Sequence, residues 1–82
     1  MISAGKQDNA LRALHCVLIT ARAMSYLSEP GIDVAEVLDE AEYLVVLLMK
    51  SEDATLEFRE HLESLAQKRE RFSPALRFFD EL

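Results

Sequence analysis

Residues 33–50 read DVAEVLDEAEYLVVLLMK, and how this stretch is read decides the fold. Its first half carries two agreeing helix-start signals. Asp33 and Glu36 stand at capping-box spacing, and Ile32 and Val37 occupy the two positions of a hydrophobic staple. Val34, Val37, Leu38, Ala41, Leu44, Val45 and Leu48 then recur at three- and four-residue spacing and make one core stripe. The other side begins acidic, with Glu36, Asp39, Glu40 and Glu42, and changes to Tyr43, Val46 and Leu47. A surface helix needs one apolar stripe, whereas a helix apolar on nearly every side must be covered on several. The stretch therefore predicts a helix that starts amphipathic and ends needing more cover than a single neighbour supplies.

Upstream of it, Ser28-Glu29-Pro30-Gly31 is the clearest break in the chain. Proline has no amide to continue a helix and disfavours helical geometry just before it; so short a connection returns the chain antiparallel. Before the break, Leu11, Leu14, Val17, Leu18, Ala21, Met24 and Leu27 define one broad apolar face, predicting a helix over 10–27. Asp8 or Asn9 is placed to cap it. Ala10, Ala13 and Ala21 lie on or beside that face and permit close helix approach, while Ile19 and Tyr26 lie off it. Residues 1–7 show no periodicity and are expected to fray as a disordered end, leaving 8–82 as one helical domain.

Downstream, Lys50-Ser51-Glu52-Asp53 holds no Gly or Pro. A break near Ser51, with Ser51 capping an acidic first turn, is the favoured reading. The alternative is one continuous helix, because the heptad phase runs on through Ser51, Thr55, Phe58, Leu62 and Leu65. Phe58, Leu62 and Leu65 give the third segment a narrow stripe. Ser73-Pro74 restarts the chain, and Ala75, Phe78, Phe79 and Leu82 form a last short helix that looks like a lid docked by two Phe rings.

Half of the 82 residues are apolar, yet the mean hydropathy is zero, which fits a globular or oligomeric chain rather than a disordered one. The net charge of −6 is uneven. Residues 1–27 sum to +2, residues 28–66 to −9 and residues 67–82 to +1. The acidic middle would repel phosphate, so nucleic acid is not an expected partner through it. Cys16 is the single cysteine, which rules out an internal disulfide and suggests a reducing, cytoplasmic setting. The apolar run from Tyr43 to Met49 is far short of the roughly 20 residues a membrane span needs.

Chemistry-bearing residues are few. His15, Cys16 and His61 would have to anchor any metal site, but His15 and Cys16 point about 100° apart on a helix and no CxxC or HxxxH spacing occurs. Neither a metal nor another cofactor is expected. Asp39-Glu40 and Glu52-Asp53 are sequential rather than facing, and Cys16 lacks the glycine turns that build an oxyanion site, so no catalytic residue is assigned. Lys68, Arg69, Arg71 and Arg77 offer a basic end. The alternative they carry is a DNA-associated regulator, opposed by the acidic helix that precedes them.

These observations point to an all-α fold: an antiparallel hairpin of two long helices, a third helix and a short fourth. The expected assembly is a homodimer with the second helix central, a bundle of the four-helix kind built from two hairpins. The expected function is non-catalytic protein binding, as a small acidic helical adaptor or chaperone for an apolar helix, or as an inhibitor of a basic protein target. In size, charge and helicity the chain is similar to small acidic helical chaperones of bacterial secretion systems, a likeness no motif carries. The expected protein interface is Ile19, Tyr26, Tyr43, Val46 and Leu47.

Overall fold

The computed structural model describes residues 1–27 and 33–81. Four α-helices carry the described chain: α1 (Gln7–Tyr26), α2 (Val34–Met49), α3 (Thr55–Lys68) and α4 (Ser73–Asp80). Single 3-10 turns at Ala4–Lys6 and Glu70–Phe72 lead into α1 and α4. No strand occurs among the described residues. The expected break at 28–31 and the Ile32 half of the staple lie outside them.

Asp33 starts α2 as its position predicts. Its Oδ1 accepts the amides of Ala35 at 3.0 Å and Glu36 at 3.3 Å, satisfying two donors that the first turn leaves without helical partners. At the other end, α2 stops at Met49 and α3 starts at Thr55, so the two helices are separate. Ser51 does not cap α3. The N-cap is Ala54, with no side-chain cap bond; one residue before it, Asp53 accepts from the Thr55 amide at 2.9 Å and the Thr55 hydroxyl at 2.6 Å. The heptad phase that crosses 50–54 survives only as a pattern, because Lys50 is already extended.

Two further starts differ from expectation. α1 begins at Gln7 without a side-chain cap. Asn9, read as a cap, instead donates to the carbonyl of Phe79 at 3.1 Å, and Lys6 Nζ donates to the same oxygen at 2.8 Å. These bonds satisfy carbonyls that the end of α4 leaves open, so the start of α1 and the end of α4 close each other. Ser73 is the first residue of α4 rather than its side-chain cap, with Pro74 in the first turn, where its missing amide costs nothing.

Of residues 1–7, expected to fray, the first three lie against the α2–α3 joint, Ala4–Lys6 form a 3-10 turn and Gln7 opens α1. Ile2 is buried, the Ala54 amide donates to the Met1 carbonyl at 2.7 Å, and the Ser3 amide donates to Thr55 Oγ1 at 2.8 Å. The physical reason is local. The joint opens a first-turn amide at Ala54 that needs an acceptor, and Ile2 supplies apolar surface to cover the gap beside it.

Around the core, α1 packs against both α2 and α4, and α4 packs against α3. The α2–α3 contact closes the ring and is the lightest of the four. Ala10, Ala13 and Ala75 are almost fully buried and let α1 and α4 approach closely. Phe58 and Phe79 stack with ring centroids 5.3 Å apart at the centre. Arg59 ties the end of α4 to α3, donating to both carboxylate oxygens of Asp80 at 3.0 Å and to Glu63 at 2.9 Å. The two-ring lid is only half as expected. Phe79 is buried but Phe78 is not, and the second buried ring is Phe72, in the turn before α4.

Candidate interaction surface

Each helix of the α1–α2 hairpin has an inward face narrower than its apolar face. On α1 the inward face is Ala10, Ala13, Leu14, Val17, Ala21 and Met24. α4 flanks one edge of it, since Cys16 and Thr20 line a groove with Phe78. α2 flanks the other edge. Leu11 and Leu18, seven residues apart, lie beyond that second edge, roughly 100° round from the centre of the inward face. On α2 the inward face is Ala41, Leu44 and Leu47. α3 flanks the edge that carries Glu36, Glu40 and Tyr43, because Lys68, His61 and Glu57 reach those side chains. Leu38, Val45 and Met49 lie on the opposite edge, toward α1.

By helix periodicity, five exposed apolar side chains from two packed helices therefore fall along the outer edge where α1 meets α2, the outer groove. Leu11 is 56% exposed, Leu18 41%, Leu38 47%, Val45 39% and Met49 78%. Together they leave on the order of 500 Å² of apolar surface in water, the upper range of the largest patch on an ordinary monomer. Leu11, Leu18, Leu38 and Val45 satisfy the apolar spacing of a core stripe, yet they stand outside the core. The signal that separates them is the alanines. Where Ala10, Ala13, Ala21 and Ala41 sit at the middle of a stripe, helices approach on that line and the large residues at its edge stay outside.

The five residues expected as an interface are not brought together. Leu47 is fully buried in the core, because α2 turns that side toward α3 and the rings beneath it, so it cannot form part of an exposed surface. Ile19 lies over the α1–α4 groove with Arg12, His15, Cys16 and Phe78. Tyr26 is exposed at the end of α1. Val46 is half-exposed on α2, and Tyr43 lies at the α2–α3 seam.

That seam is held by polar groups. The Tyr43 hydroxyl donates to Glu57 Oε1 at 2.6 Å, and its ring lies 4.4 Å from that of His61. His61 Nδ1 lies 3.2 Å from Glu40, Lys50 lies 3.4 Å from Glu57, and Lys68 reaches Glu36 at 3.7 Å and Glu40 at 3.8 Å. The hydrogen bond to Glu57 pushes the Tyr43 phenol above its ordinary value. The same bond, helped by Lys50, holds the Glu57 carboxyl below the usual carboxylate range. Among the described residues, Glu36, Glu40, Glu57 and Glu63 of the −9 segment are thus in ion pairs within the chain, Asp33 and Asp53 accept hydrogen bonds at helix starts, and Lys68 of the basic end is engaged as well.

Cys16 is half-buried beside Phe78. Among the described residues no three of His, Cys, Asp and Glu gather closely enough to hold a metal ion, and no helix is long and apolar enough to cross a membrane. Comparison with known protein families, with curated proteins and with solved structures finds no match for this chain.

Proposed function

We propose that this chain is a non-catalytic protein-interaction module, an acidic helical adaptor or chaperone that works through the outer groove of α1 and α2 and self-associates as a homodimer. The observation that supports this reading is the groove itself. Leu11, Leu18, Leu38, Val45 and Met49 stand exposed at heptad-like spacing on two adjacent helices, the pattern into which the apolar face of a third helix fits. The inhibitor reading draws less support, because so many carboxylates already have partners inside the chain. The DNA-regulator reading is weakened in the same way, with Lys68 held between two carboxylates of α2.

The test is saturable association of an apolar helix with the groove, whether of a fluorescently labelled Leu- and Lys-containing amphipathic peptide or of the chain with itself. Binding should tolerate salt, give a negative heat-capacity change, and be lost on Val45→Glu. Leu47→Glu is unsuitable, since it would bury a charge and unfold the domain. A chain that binds neither the peptide nor itself would leave the groove without a role.

A further inference from the structure

Resting on the reading of this groove as a docking surface, we infer that its occupant is a second copy of this chain, packed face to face about a twofold axis parallel to the helices. α1 of each copy then lies antiparallel against α2 of the other, and every helix of the resulting four-helix contact is antiparallel to its neighbours.

Register, charge and area carry the inference. We place Tyr26, the end of α1, level with Val34, the start of α2, so that positions whose numbers add to about 60 share a level along the hairpin. A twofold axis along the helices preserves level. Leu11 then meets Met49 of the second copy, Leu18 falls between its Leu38 and Val45, and Arg22 stands beside its Leu38 within a turn of its Glu42. The charges match as the apolar side chains do. Arg22 lies on the outward edge of α1 and Glu42 on that of α2, and neither makes an ion pair or side-chain hydrogen bond among the described residues. The other face-to-face twofold, perpendicular to the helices, would set α2 against α2. That would set the Glu42 edge of one α2 against the Glu42 edge of the other and the Arg22 edge of one α1 against its copy, an arrangement that like-charge repulsion disfavours. Two copies of the patch supply roughly 1,000 Å² of buried surface, the lower bound for a specific interface and the range of a dimer of moderate affinity.

The experiment is sedimentation equilibrium on the full chain over about 10–500 µM, with circular dichroism to verify the fold of each variant. The mass should rise from 9.3 kDa to twice that value. Val45→Glu, a surface change, should keep the helical spectrum and hold the chain monomeric. Arg22→Glu and Glu42→Arg should each weaken the dimer by about tenfold or more, and the two together should restore it to within about threefold. A wild-type chain that stays at 9.3 kDa throughout overturns the inference. So does a dimer that survives Val45→Glu, or one in which the combined charge swap fails to recover what the single swaps lose. A monomer that still binds the amphipathic peptide, and loses it on Val45→Glu, would keep the groove as a docking site while removing the second copy as its occupant. A monomer that binds no peptide would remove both.

Discussion

Val46 and Leu47 are neighbours of nearly equal hydrophobicity, and the structure gives them opposite roles. Leu47 is fully buried, whereas Val46 is 48% exposed. Truncating Leu47 to Ala removes apolar atoms that α3 and the core rings enclose, and it leaves a cavity. Buried Leu→Ala changes cost about 2–5 kcal/mol. Ala recovers only a few tenths through helix propensity, so about 3 kcal/mol is expected. Val46→Ala removes two methyl groups from a half-solvated site and creates no cavity. Its cost should be about 0.5 kcal/mol at most, since Ala also replaces a β-branched residue that is a poorer helix former. A domain of this length is stable by about 4–12 kcal/mol, so the first change consumes a quarter or more of the total and the second is minor. At roughly 4–8 °C per kcal/mol, Leu47→Ala should lower Tm by about 12–24 °C and Val46→Ala by only a few degrees. The assay is urea and thermal unfolding followed by circular dichroism, at one fixed protein concentration because self-association would make Tm concentration-dependent. Equal losses at the two positions, or a loss below about 1 kcal/mol at Leu47, would refute the assignment of these two faces of α2.

Other consequences follow from the same packing. Ile2→Ala should cost about 2–4 kcal/mol and raise the hydrogen-exchange rate of the Ala54 amide; an unchanged rate would mean that the amino-terminal segment is not docked at the α2–α3 joint. Phe79→Ala, which removes the ring stacked on Phe58, should cost about 3–5 kcal/mol, while Phe78→Ala should cost much less in the same unfolding assay. Hydrogen bonds from Thr55 hold the Asp53 carboxyl below its ordinary range. Its contribution to stability is therefore present above the unfolded carboxylate value and is lost as pH falls through the lowered folded value. Asp53→Asn should flatten the acid limb of a stability–pH profile, and an unaltered limb would contradict the Asp53–Thr55 bonds. Tyr43, raised by its bond to Glu57, behaves in the opposite sense. Its contribution is present below the unfolded phenol value and is lost as pH rises through the raised folded value, so Tyr43→Phe should remove the alkaline loss.

Helices and their order were legible in the sequence because they depend on neighbours a few positions away. Apolar spacing located all four, Asp33 announced the start of α2, and Pro74 marked the first turn of α4. These signals are local: a cap needs only the next two or three amides, and a stripe needs only its own period. What the sequence left undecided was which edge of each stripe the neighbouring helix covers. Leu38 and Val45 satisfy the core spacing as well as Leu44 does, yet they remain outside, while Leu47, read as surface, lies at the centre. That choice belongs to packing. The alanine line at Ala10, Ala13 and Ala75 draws α4 onto α1, and Tyr43, Glu40 and Glu36 draw α3 to one side of α2. Once α3 and α4 have taken their places, no element among the described residues covers the edge between α1 and α2. The amino-terminal segment shows the same division. Nothing periodic marks Ile2, and its burial exists only because a helix joint some fifty residues later opens a site that fits it.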